Sequence, residues 1–303
     1  MSIYTDLACE ARELHPDVDG VTESRLFREG VEIRRVTIRS SEAAEKLGKR
    51  IGSYVTLDAP DLVFRESVLF ETLERLAAGE LRRLMNGLPE ELCVLVVGLG
   101  NRRVTPDSFG PAVTERIPVT RHIIELMPDA LDKGTPSVCA VSPGVLGETG
   151  LESAGIVKSL VERFRPDAVI AADSLASRRA ERISTTIQLS DAGIDPGSGV
   201  GNLRSGLNRD TLGVPVFAVG VPLVVKASTI ISDALERLAI DGCGRAVNPE
   251  NIADPISEGG MDAMIMTPKD IDRIVDDMAG VAAGAVGRAI FGERYGEIKK
   301  LLS

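Results

Sequence analysis

Apolar and charged residues alternate through 31–39 (VEIRRVTIR), the pattern of a strand with one covered face. A shorter strand signal follows at 53–57 (SYVTL), and between them Ser40-Ser41 with Glu42, Glu45 and Lys46 reads as a short capped helix. From 66 to 85 the period changes: Val68, Leu69, Leu73, Leu76, Leu81 and Leu84 share one helical face. The strongest strand signal is the unbroken apolar run 92–97 (LCVLVV), which suits a central parallel strand covered on both sides. Two more buried strands are predicted at 167–172 (DAVIAA), after a helix over 154–164, and at 214–219 (VPVFAV), before a helix over 227–238. Strands alternating with helices predict an α/β fold: a doubly wound, mostly parallel sheet flanked by helices. A glycine-rich loop spans 191–202 and a connection of low periodicity spans 241–266. Thr267-Pro268 then opens a C-terminal helix with Asp270 and Asp272 in its first turn, and its Ala- and Gly-rich stretch 278–290 reads as closely packed.

Composition narrows the function. The chain has 303 residues, 35 Lys plus Arg against 45 Asp plus Glu, and a net charge of −10, which argues against nucleic acid as a direct partner. Aromatics are 3% and Trp is absent, so the core is aliphatic and a stacking platform for bases is not expected. No apolar run is long enough to span a membrane, and the N-terminus lacks the pattern of a signal peptide. Cys9, Cys93, Cys139 and Cys243 form no CxxC pair, which favours free thiols in a reducing cytoplasm over disulfides or zinc.

In open α/β sheets ligands bind beyond the carboxyl ends of the strands. After the first buried strand comes GLGNRRVTPDSFGP, carrying Asp107; the second ends at Asp173 in AADSLASRR. Two carboxylates at one sheet edge can share a proton, one acting as base on water and the other as acid toward a carbonyl. Asp107 also precedes a helix and could serve as its cap, with Ser108 orienting a carboxylate or contacting the helix. GLGN lacks the third glycine and the following helix of a dinucleotide fingerprint, and PGSGVGN lacks the Lys-Ser/Thr of a P-loop. His15 and His122 lie beside no evident nucleophile; His122 is expected to pack or cap. The Arg178-Arg179 pair reads as a solvated helix face, a substrate contact or a holder of an acidic residue.

Six blocks, in order, carry a resemblance to a known family: YTDLACEA at 4–11, VVGLGNRRVTPDSFGP at 96–111, AVSPGVLGETGLES at 140–153, AADSLASRR at 171–179, TIQLSDAGIDPGSGVGN at 186–202 and MTPKDID at 266–272. The chain resembles the germination proteases of endospore-forming bacteria. That resemblance implies a cytoplasmic, spore-core endopeptidase of aspartic type that degrades small acid-soluble spore proteins, without a cofactor, as a homotetramer. It implies a fold similar to the hydrogenase maturation endopeptidases, and a catalytic pair at Asp107 and Asp173. It also implies a zymogen that cuts its own chain between Asp6 and Leu7, so that 1–6 is a pro-segment and 7–303 a single peptidase domain. Gly197, Gly199, Gly201 and Asn202 are candidate substrate contacts. The chain departs from the family pattern at Asp195, where a His is expected, and at Lys226, where an acidic residue is expected. Two alternatives stay open: a metal-dependent peptidase with Asp107 and Asp173 as ligands, and an inactive scaffold of the same fold.

Overall fold

The computed structural model describes residues 5–195, 205–231, 234 and 264–302. The strand signals assemble there into one mixed sheet. Its strands are β1 (Val21–Arg28), β2 (Val31–Ile38), β3 (Gly52–Asp58), β4 (Cys93–Gly98), β5 (Ser137–Val141), β6 (Ala168–Ser177), β7 (Thr186–Ser190), β8 (Val216–Lys226) and β9 (Ile265–Met266). The spatial order is β1-β2-β3-β7-β8-β6-β4-β5, with β9 paired to β8. The expected parallel arrangement holds over β5-β4-β6-β8; from β8 through β7, β3 and β2 to β1 every pairing is antiparallel. The reason is connectivity. Parallel neighbours need a crossover, which the helices around β4–β6 supply, whereas β1 and β2 are joined by the tight turn Glu29-Gly30, with φ of 52° and 83°.

Helices cover both faces. One face packs under α3 (Ser67–Leu84), α4 (Phe109–Thr114) and α9 (Ile271–Phe291), burying Leu73, Leu81, Phe109, Ile170, Val219 and Met278 in one cluster. Leu73, Leu76 and Leu81 face inward as their spacing predicts, while Val68 is exposed in the first turn of α3. The other face is covered near β4 and β6 by α7 (Ser153–Phe164) and α8 (Arg209–Leu212), and near β2 and β3 by α1 (Ala8–Leu14) and α2 (Ser41–Leu47). Ser40 caps α2 by accepting the Ala43 N–H, as its sequence position foretells. The short helices α5 (Arg121–Leu126) and α6 (Leu146–Thr149) and the terminal α10 (Tyr295–Leu302) complete the described chain. The expected helix over 227–238 begins at Ala227, and its continuation falls mostly outside the described residues.

β6 and β8 run further than their apolar cores suggest. β6 was expected to stop at Asp173 but continues to Ser177, because β8 extends alongside it to Lys226 and a register shift at Leu175/Ala176 absorbs the mismatch. Asp173 therefore lies within a strand.

Where β4 and β6 end, α4 meets the sheet backbone to backbone. A Cβ on Gly110 would stand 2.2 Å from the Leu99 carbonyl and 2.5 Å from that of Ala172; one on Gly98 would stand 2.2 Å from the Gly110 carbonyl. Gly110→Ala is therefore expected to cost about 3 kcal/mol or more, since no flexible side chain is there to yield. Gly79→Ala, on an exposed and unobstructed turn of α3, is expected to add up to about 1 kcal/mol. Denaturant midpoints of the two variants check both signs.

Candidate active site

The glycine contacts that seat α4 also place the first candidate carboxylate. β4 leaves the sheet at Gly98, and the Leu99 N–H donates to the Ala172 carbonyl of β6 at 2.8 Å. Gly100 follows with φ +114°, and a Cβ there would stand 1.9 Å from the Asp107 carbonyl oxygen and 3.1 Å from its Oδ1. Asp107 ends the 3-10 turn Thr105–Asp107 and folds back over Gly100, where its Oδ2 accepts the Asn101 N–H at 2.8 Å. Ser108 stands at the N-cap of α4 without capping it; its hydroxyl donates to the Thr105 carbonyl at 2.8 Å.

Asp173 follows Ala172 directly and is 6% exposed. It pairs in register with Gly220 of β8, and Gly220 pairs on its other side with Gln188 of β7. Residues in register project to the same face, so Asp173 and Gln188 flank Gly220 on one side of the sheet, about 10 Å apart at two strand spacings. Their strand neighbours Ile170, Ala172, Ile187 and Leu189 fill the core on the opposite face. The missing Gly220 side chain leaves room for Leu175, whose Cδ1 would be 2.5 Å from a Cβ there.

The N-terminal segment occupies this same face. Leu7, fully buried, packs with Leu175 and Cys9. Asp6 pairs with the end of β6: its N–H donates to the Ala176 carbonyl at 2.9 Å, and its Oδ2 accepts the Ala176 N–H at 2.7 Å. Gln188 spans the segment, its Nε2 donating to the Asp6 carbonyl at 3.0 Å and its Oε1 accepting the Ala8 N–H at 2.7 Å. Lys49 donates to the Thr5 carbonyl at 2.8 Å, and burial holds its ammonium below the usual lysine range. The 5–8 backbone is thus held on both sides of the Asp6–Leu7 bond.

Behind it lies a buried ionic cluster. Glu10, fully buried in α1, accepts the backbone N–H groups of Arg178 at 2.7 Å and Arg179 at 3.0 Å, and the Thr5 hydroxyl donates to it. Arg182 Nη1 lies 3.1 Å from Glu10 Oε1 without hydrogen-bond alignment, and Arg182 Nη2 donates to Glu13 Oε1 at 2.8 Å. Burial opposes the Arg182 charge, but Cys9, Glu13 and Glu10 around it hold its pKa above the usual value. Burial likewise opposes the Glu13 charge, yet its hydrogen bonds and ion pairs with Arg182 and Arg34 leave its carboxyl below the usual range. Burial pushes the Cys9 thiol up to about 11, which makes it a poor nucleophile near neutrality.

The structure thus sorts the sequence candidates. Asp107 lies in the loop after the carboxyl end of β4, Asp173 lies within β6 one residue past its last pair with β4, and the Asp6–Leu7 bond crosses the face that carries Asp173. Arg178 and Arg179 close the end of β6 and hold an acidic residue; they are not on a helix face. His15 and His122 are exposed, so His122 does not pack as expected: it lies on the solvent side of α5. Asp195 forms an exposed two-oxygen pair with Arg50, and Lys226 ends β8 in register with Ile265. Gly197, Gly199, Gly201, Asn202 and Cys243 lie outside the described residues. Among the described residues no group of three or more His, Cys, Asp or Glu is arranged to hold a metal ion, and no helix is long and apolar enough to cross a membrane. Sequence reasoning missed Gln188 and Glu10. The only hint was a polar residue inside each of two apolar stretches, TIQLS and LACEA.

The family model described as germination protease matches residues 2–262. A germination protease of Clostridium perfringens is 40% identical over 310 residues, covering 95% of each chain. That of Caldanaerobacter subterraneus is 41% identical over 308 residues, covering 96% of this chain and 94% of its own. That of Bacillus licheniformis is 36% identical over 345 residues, covering 95% and 93%. With a match over most of its length and relatives at this identity, the chain belongs to the germination protease family.

Proposed function

We propose that this chain is an aspartic-type endopeptidase that degrades small acid-soluble spore proteins in the spore core during germination. In this reading it is made as a zymogen that cuts its own Asp6–Leu7 bond, has a fold related to the hydrogenase maturation endopeptidases and works as a homotetramer without a cofactor. Family membership supports a protease acting in germination. The observation that carries the finer reading is the seat of the N-terminal segment: Asp6 is bonded to Ala176, three positions along the strand from Asp173, and its carbonyl accepts from Gln188.

The chemistry follows from two carboxyl groups that share one proton. The ionised member takes a proton from water as the water oxygen attacks the peptide carbonyl carbon, the protonated member gives its proton to the carbonyl oxygen, and the proton taken from water passes to the leaving nitrogen. Collapse of the tetrahedral species breaks the C–N bond and leaves a carboxyl on Asp6 and an amine on Leu7. Gln188 Nε2 donates to the carbonyl oxygen on which negative charge develops, so it orients the bond and stabilises that charge. Asp107 reaches the same strand ends through the Gly100 contact.

Asp107→Asn and Asp173→Asn are each expected to slow self-cleavage by about 100-fold or more. Intact mass after incubation near pH 5.5 reads this directly; a wild-type rate in either variant removes the pair from the mechanism. Gln188→Leu is expected to slow the same cut by about 10- to 100-fold while the chain still folds, because Leu conserves the volume but loses the donor. Self-cleavage of the wild type should be faster near pH 5.5 than near pH 8, because deprotonating both carboxyls removes the acid.

A further inference from the structure

Hydrolysis of the Asp6–Leu7 bond consumes one water and leaves a carboxyl on Asp6 and an amine on Leu7, which at neutral pH becomes an ammonium. This inference rests on the preceding reading of that bond as the one cut. Leu7 is fully buried, packed with Cys9 and Leu175. A charge created there without a partner would expel the segment or unfold its surroundings, because an isolated buried charge costs several kcal/mol. The uncut chain already has a partner in place. The Leu7 N–H donates to the Thr5 hydroxyl at 3.1 Å, and that hydroxyl donates in turn to the Glu10 carboxylate. Thr5 is therefore a single-atom bridge between Leu7 N and Glu10 Oε2, and Thr5 belongs to the part of the chain that the cut releases.

We propose that Glu10 receives the new amino terminus: once residues 1–6 leave, the Leu7 ammonium takes the place of the Thr5 hydroxyl and forms an ion pair with the Glu10 carboxylate. The new pair preserves what Glu10 does in the uncut chain. Its two oxygens hold the N–H groups of Arg178 and Arg179, which close the strand that carries Asp173. Cleavage thus exchanges a neutral donor for a charged one at a carboxylate already anchored to the end of β6, and tightens the strand that carries Asp173 while releasing the segment that lay across it. Glu10 is a positioning residue; it acts through the backbone of 178–179 and touches neither the water nor the peptide being cut.

The groups facing this position set the titration. Arg182, 3.1 Å from Glu10, keeps its charge throughout, and the Cys9 thiol, raised by burial, stays neutral through pH 9. Arg34 is engaged with Glu13, and Asp173 lies upstream on β6. Among the described cations around it, Lys49 is held below its usual range by burial, and it opposes the ammonium rather than supporting it. Two carboxylates can then raise the amine pKa at Leu7: Glu10, which the Thr5 hydroxyl already connects to Leu7 N, and Asp173 on the same face of β6; Glu10→Gln separates them.

The test uses the full chain. It is first allowed to self-cleave, and intact mass identifies the cut. The rate of cyanate addition to the Leu7 amine is then followed against pH by peptide mapping, which gives the amine pKa whatever its absolute accessibility. The expected midpoint lies about one pH unit or more above the ordinary α-amine range of about 7.7–8.0, and falls back into that range in Glu10→Gln. Thr5→Val yields the same cut product and should show the wild-type midpoint. A wild-type midpoint within or below the ordinary range overturns the proposal even if Glu10→Gln fails to fold. A raised midpoint that Glu10→Gln leaves unmoved overturns it too. A chain that stays uncut, or is cut elsewhere, overturns the Asp6–Leu7 reading itself, and the mass measurement separates that result from the others.

Discussion

The architecture of the site depends on how closely α4 approaches the ends of β4 and β6. Helices normally pack on sheets through side chains that stand between the two backbones. Here Gly98 and Gly110 remove the intervening atoms, and carbonyls of Leu99, Gly110 and Ala172 fill the space that Cβ atoms would take. This draws the loop 99–108 down onto the strand ends. Gly100, with its positive φ, then lets Asp107 fold back over the backbone instead of projecting into solvent. One steric allowance thus brings a residue of the loop after β4 close to Asp173, which the sheet already fixes.

The opposite face of the sheet is organised by charge. Glu10 is fully buried and would be strongly destabilising alone, yet backbone N–H groups and Arg182 surround it. Glu13, Arg34 and Arg182 extend the cluster across α1, β2 and the turn after β6. Together they pin the N-terminal helix to the strand that carries Asp173, so the segment preceding that helix has little choice but to cross the same face. Packing of Leu7 on Leu175 and the clamp from Gln188 complete that course. In a chain whose net charge is −10, this use of arginine inside an acidic protein shows that overall charge says little about local fields.

The α/β class, the long helices α3 and α9 and the strands β2, β3, β4, β6 and β8 were legible in the sequence because each carries a strong period or an unbroken apolar run. β1 was not, because VTESRLFR is exposed over most of its length and shows no covered face. The strand β7 (TIQLS) hid inside a stretch whose Gln and Ser look like loop residues, although all five positions are buried. The parallel-to-antiparallel change at β8 could not be read either, since register and direction follow from which strands meet in space.

Asp107 and Asp173 stood out as candidates in the sequence because strand ends and resemblance converge on them, and their residue type alone restricts the chemistry. What the amino-acid order determined, then, was local: the period of each element, the cap at Ser40, the glycines that permit close approach and the carboxylates that end apolar runs, whereas the helix expected to open at Thr267-Pro268 begins only at Ile271, with Thr267 donating to the Leu223 carbonyl. Only the tertiary structure decided that Gln188, Gly220 and Asp173 stand side by side, and that Thr5 bridges Leu7 to Glu10 while the Glu10 carboxylate holds residues 178 and 179. Those partners lie far apart along the chain. A hydrogen bond spanning 168 positions leaves no periodic trace in the sequence, because its geometry is set by how whole elements pack and not by any local preference of the residues that make it.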